Sequence, residues 1–183
     1  LNGLDHYRIS NELLHLEEAQ FNDYFAKQRV KGIMPRGEFA EVCAQSIRAD
    51  VLAFKEKIKD YSSPHSESVD FMVETAQGNI RLFGYMEPLF GDENQIIEWR
   101  FAKYKDRYRI RPWLYYLIQL ATKENALPPR IIAKDKDLTL KTIEKSTALE
   151  KLKMYVEAYL QSQQQIQLIP TENIAKFIEK DES

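Results

Sequence analysis

Cysteine is almost missing from this chain. Cys43 is the one thiol among 183 residues, which excludes a disulfide scaffold. It lies near Phe39, Val42 and Ile47 on an apolar helical stripe. That setting predicts a core side chain rather than a nucleophile. Histidine is scarce as well: His6, His15 and His65 stand far apart, without the spacing of a zinc site. Long apolar runs and a signal-peptide pattern are lacking. There is no excess of charge of one sign either. Twenty-six basic and 28 acidic side chains leave a net charge of −2, so nothing global demands nucleic acid or an anionic membrane. A reducing cytoplasm suits this composition. No repeats occur, and no linker is long enough to separate two domains.

What is present belongs to a folded chain. Hydrophobic residues make up 44% and aromatics 11%, enough for a sizeable core. One domain over residues 1–183 is expected, with residues 1–30 as a helical lead-in. The chain starts at Leu1 rather than Met, so it is expected to be a piece of something longer.

The periodicity predicts the elements in order. Ser10 is a candidate N-cap for a first helix carrying Leu13, Leu14, Phe21, Tyr24 and Phe25. After an interruption at 31–37, a second helix runs to about Lys59, with Phe39, Val42, Cys43, Ile47, Val51, Phe54 and Ile58 at helical spacing. The period then changes to two. Val69, Phe71 and Val73 alternate, Gln77-Gly78-Asn79 turns the chain, and Ile80, Leu82 and Gly84 continue. A third strand is expected from about Gln95 to Phe101. Pro112 suits the first turn of a helix whose apolar face is Trp113, Leu114, Leu117, Ile118 and Ala121. Short strands follow near 131–134 and 138–143, then a helix from about Ser146 to Gln161. The glutamine-rich tract 161–165 reads as a polar loop, 166–169 as extended, and Thr171 as a cap for a last short helix.

Two short segments carry acids at telling places, Gly84-Tyr85-Met86-Glu87 and Ile97-Glu98-Trp99-Arg100. Residues two apart in a strand share a face, so Glu98 and Arg100 point the same way. Two converging carboxylates are the minimum a protein offers a magnesium ion. Arginine cannot be deprotonated as a catalytic lysine can, and its planar fork is better at holding a carboxylate or phosphate. An ion pair at or beside Glu98 and Arg100 is therefore expected where a metal would otherwise bind.

The order helix, three strands, helix, strand resembles the PD-(D/E)XK nuclease core. That predicts an α/β fold with a mixed central sheet flanked by helices. MPRGEFAEV, FGYMEPLF, IIEWRFAKYKDRYRIRPWLYYLIQLA and KMYVEAYLQSQQQIQLIPTEN occur in the order expected of a more specific family, and LNGLDHYRISNELL leads into them. Over its whole length the chain resembles the C-terminal domain family of RecC, the gamma subunit of exodeoxyribonuclease V. The resemblance implies a nuclease-like domain with a degraded site. Ala40 stands where active relatives place the histidine of G-x-x-H, after Gly37. Gly84-x-x-Glu87 stands for G-x-x-D, and Glu98-x-Arg100 for D-x-K. Arg109 and Trp113 stand at the spacing of Q-x-x-x-Y. No catalytic residue, metal or cofactor is expected. Glu41, one position past Ala40, is the one residue that could restore a ligand. The implied partners are the alpha and beta subunits and, within the complex, DNA. The implied role is to hold a helicase–nuclease together and guide DNA during double-strand-break repair by homologous recombination. The rival expectations are an active metal-dependent deoxyribonuclease using Glu87 and Glu98, and a plain interaction module.

The run from Arg100 to Arg111 is locally basic. If it were extended, Lys103, Lys105, Arg107, Arg109 and Arg111 would share one side, with Tyr104 and Tyr108 on the other. Interleaved cations and aromatics suit phosphate contact and base stacking, so these five are the DNA-binding candidates. Asp106 suggests a turn that would break the single face.

Overall fold

The computed structural model describes residues 1–61, 63–90, 94–123 and 125–164. Among the described residues two compact units are present: residues 1–60 with 100–103, and residues 61–99 with 104–164.

The first unit is helical. Helix α1 spans Gly3–Leu14, and its N-cap is Asn2, whose side-chain oxygen accepts from the Asp5 N–H at 2.8 Å. Ser10 is no cap; it is buried in mid-helix. Nor does one helix run on to Phe25. A capping box between Glu17 and Gln20 opens a 3-10 turn, which leads into α2, Phe21–Val30. Helix α3, Glu38–Ile58, begins after Gly37, whose φ of 67° is open to glycine at little cost. Its buried stripe is Ala40, Ala44, Ile47, Val51 and Phe54. Phe39 and Val42, expected on that stripe, are 78% and 64% exposed, and Cys43 is half-buried. The buried face runs through the small Ala40 and Ala44 instead. Ile9, Leu13, Phe21 and Phe25 complete the core, and Phe54 meets Phe101 edge to face at 5.3 Å.

The second unit carries a five-stranded sheet of order β1-β2-β3-β4-β5, with β1 at His65–Thr75, β2 at Gly78–Phe90, β3 at Gln95–Arg100, β4 at Arg130–Ala133 and β5 at Asp137–Thr139. Strands β1 and β2 form a long hairpin that pairs Val69, Phe71 and Val73 with Gly84, Leu82 and Ile80. The β2–β3 and β4–β5 ladders are antiparallel as well. Between β3 and β4 runs helix α4, Ile110–Thr122, the crossover that neighbouring parallel strands need, so the sheet is mixed. Helix α5, Lys145–Gln164, follows β5.

Alternation along β1 turns Val69 and Val73 toward Trp113, Tyr116, Leu117 and Leu120 of α4 and Ala148, Leu152 and Val156 of α5. Each large apolar side chain removed from water there contributes about 1.5–3 kcal/mol. The opposite phase leaves Met72, Phe83 and Tyr85 exposed. The expected α/β class and mixed sheet are thus found. The glutamine-rich tract is not a loop through 161–164; it continues α5. Glutamine is a good helix former, and no glycine or proline intervenes there. The expected extended segment at 166–169 and the cap at Thr171 lie outside the described residues.

Candidate functional site

The β2–β3 ladder aligns Leu89 with Ile96 and Phe90 with Gln95. Glu87 lies two residues before Leu89 on β2, across a cis bond to Pro88 and a register shift in the β1–β2 ladder, and Glu98 lies two residues after Ile96 on β3. The two acids are not equivalent. Glu87 is exposed, whereas the Glu98 side chain is only 5% exposed. A buried carboxylate needs a partner. Arg111 supplies one from the first turn of α4: its Nε donates to Glu98 Oε2 at 3.1 Å, and a terminal nitrogen donates to the same oxygen. Pro112 beside it suits that turn because proline fixes φ in the helical range and needs no N–H partner there. A guanidinium held by Glu98 thus comes from a residue singled out for DNA contact.

The other nuclease-like positions fall as follows. Arg100 is exposed at the end of β3. Ala40 is buried in α3. Glu41 is paired with Arg29 at 2.8 Å. Among the described residues, no group of three or more His, Cys, Asp or Glu side chains converges as a metal site would.

The basic segment is not extended. Lys105 caps a 3-10 turn over Asp106–Arg109, and α4 begins at Ile110. The single cationic face is therefore broken, as Asp106 suggested. Lys103, Lys105 and Arg107 are exposed, but Arg109 is buried. The Tyr104 N–H donates to Asp135 Oδ1 at 2.7 Å, which ties the segment to the β4–β5 turn. The same turn brings in Lys136, whose Nζ lies 4.4 Å from the Tyr104 ring centroid. The Arg107 guanidinium lies 5.8 Å from the Tyr108 centroid, and the two tyrosines meet edge to face at 6.5 Å. Cations and rings interleave here, but in a compact cluster rather than a stripe. Lys136 is invisible to a reading of the basic run because it joins from 25 or more residues away; only the turn-forming run Lys134-Asp135-Lys136-Asp137 hints at it.

Residues 1–182 match the family model of the RecC C-terminal domain. The chain belongs to that family. It is also 53% identical, over 188 aligned residues, to the RecBCD enzyme subunit RecC of Haemophilus influenzae. That alignment covers all of this chain but 17% of the relative, so the chain spans about one sixth of that protein's length. The family resemblance carried by MPRGEFAEV, FGYMEPLF and IIEWR is thereby borne out. Within a RecC C-terminal domain, the Glu98–Arg111 pair and the Lys105, Arg107 and Lys136 cluster are two polar features that the sequence motifs lead to. No described helix is long and apolar enough to cross a membrane.

Proposed function

We propose that this chain is the non-catalytic C-terminal domain of an exodeoxyribonuclease V gamma subunit. It holds the helicase–nuclease together through the alpha and beta subunits and guides DNA during double-strand-break repair by homologous recombination, in the cytoplasm. Family membership over the whole chain carries this reading. The domain is a PD-(D/E)XK core that no longer cuts. The order helix, three strands, helix, strand supports the core. Arg111 on Glu98 supports the loss of cutting, because a guanidinium occupies a carboxylate oxygen that a magnesium ion would need. Ala40 supports it independently.

One observation favours a live nuclease instead. Glu87 remains an exposed acid on β2, the strand that pairs with the strand of Glu98. The two readings part in one experiment. The full-length subunit, purified apart from its partners, is incubated with linear duplex and single-stranded DNA in magnesium and in manganese. Both substrates stay intact on the proposed reading. Degradation that disappears in Glu98→Ala would establish the nuclease.

A further inference from the structure

Helices α2 and α3 enclose a pocket of about 400 Å³, wholly within the helical unit. Its apolar side is formed by Phe25 and Ala44, both buried. The rest of the lining is polar and cationic. Arg48 is braced there: a terminal nitrogen donates to Asn22 Oδ1 at 2.5 Å, and its guanidinium lies 5.9 Å from the Phe21 ring centroid. Arg29 enters from the last turn of α2 and pairs with Glu41 at 2.8 Å. Its Nε is sealed from water and has no hydrogen-bond partner. A buried donor without an acceptor is costly, so the site is one acceptor short. Gln45 adds an amide to the lining.

Two guanidinium groups against one carboxylate leave the pocket positive. The carboxylate is a weak competitor, because the Glu41 side chain is 60% exposed and its pair with Arg29 is screened by water. The lining holds no histidine, cysteine, serine or second acid, which argues for binding rather than chemistry. Planar forks of this kind match phosphate oxygens. The volume exceeds that of a bare phosphate and lies within the range of small-molecule sites.

We propose that this pocket binds a phosphate group, gripped between Arg29 and Arg48, with Glu41 swinging out as it enters. The phosphate belongs either to a nucleic-acid backbone or to a free nucleotide. The lining shares no residue with the Lys105, Arg107 and Lys136 cluster, and the proposal does not rest on the proposed DNA-guiding role.

The test uses the full-length subunit and two probes, a labelled oligothymidylate followed by anisotropy and ADP followed by calorimetry. Arg29→Gln and Arg48→Gln each weaken the binding of at least one probe by roughly tenfold, while Glu41→Gln tightens it several-fold. Arg8→Gln, a charge loss elsewhere in the helical unit, leaves both affinities unchanged. Sensitivity confined to the oligonucleotide assigns the phosphate to a strand, and sensitivity to ADP assigns it to a nucleotide. Circular dichroism checks the fold of each variant. Should the arginine variants not fold, Glu41→Gln decides alone. Equal affinity of the parent and Glu41→Gln for both probes, or of the parent and folded arginine variants, overturns the proposal.

Discussion

The strand spacing Glu98-x-Arg100 places an acid where the structure buries one, but the spacing carries no sign of which cation meets it. One guanidinium on Glu98 belongs to Arg111, thirteen positions on, delivered by the first turn of α4. Truncating Arg111 to alanine leaves a buried carboxylate short of two donated hydrogen bonds. Arg111 is half-exposed, so water moderates the loss. The expected cost is about 1–3 kcal/mol, read as a lower urea midpoint at unchanged slope. Glu98→Gln, which removes the buried charge, costs less than Arg111→Ala. A larger loss in Glu98→Gln would mean that the carboxylate is held chiefly by other groups. The exposed pair on the β1–β2 hairpin behaves differently. The two-pronged hydrogen bond from Arg81 holds the Asp70 carboxyl below its ordinary range. A carboxyl depressed by folding adds stability above its unfolded pKa, and that contribution is lost as pH falls through the folded one. In Arg81→Ala, an NMR titration of Asp70 is expected to move up toward the ordinary carboxylate value. An unmoved titration would show that the pair does not persist in solution.

Elements with strong periodicity are legible in the sequence. Helices α3 and α4 and the alternation of Val69, Phe71 and Val73 fall where hydrophobic spacing puts them. Where the pattern is weak, sequence and structure part for identifiable reasons. The break between α1 and α2 depends on the Glu17–Gln20 capping box, which looks like any polar stretch in a helix. The buried face of α3 runs through Ala40 and Ala44 rather than Phe39 and Val42, and periodicity counts alanine as a weak hydrophobe. The glutamine tract has the composition of a polar loop, yet glutamine continues a helix readily. Gly37 permits a direct check on how α3 starts. Its φ of 67° with ψ of −150° is a conformation open essentially to glycine alone, and an added Cβ would meet nothing within 4 Å. Any cost of Gly37→Ala is therefore backbone strain, about 1–2 kcal/mol, seen as a lower thermal midpoint. Gly3→Ala is the control. Gly3 has ordinary helical backbone in the first turn of α1 and open space around it, so alanine there is neutral or stabilising by up to about 1 kcal/mol. Equal effects at the two positions would remove the strain argument.

On the scale of the whole molecule, 183 residues span 17% of a RecC relative, and the proposed role sets them within a larger complex. The cluster of Lys105, Arg107 and Lys136 is small, and Asp106 and Asp135 stand among its cations. So few phosphates can be neutralised there that DNA affinity from this cluster alone should be low and should fall steeply with salt. Assembly changes the arithmetic while every side chain stays as it is. On the proposed role, partners that hold the DNA would raise its effective concentration at the cluster, so that a weak interaction would become a useful guide. The decisive variant is Lys105→Glu with Arg107→Glu in the full-length subunit, with Lys136→Glu added in a second version because the fold, unlike the linear sequence, groups it with them. The assembled enzyme is then titrated with DNA ends across a range of salt. If the cluster binds phosphates, affinity falls at every salt concentration, and the slope of log affinity against log salt becomes shallower by about one for each phosphate no longer neutralised. Adding Lys136→Glu deepens both effects. A change in affinity at constant slope would indicate a shift in assembly instead, which analytical ultracentrifugation of the complex detects. Unchanged affinity and slope in an intact complex would remove DNA guidance from the proposed role and leave the scaffold alone.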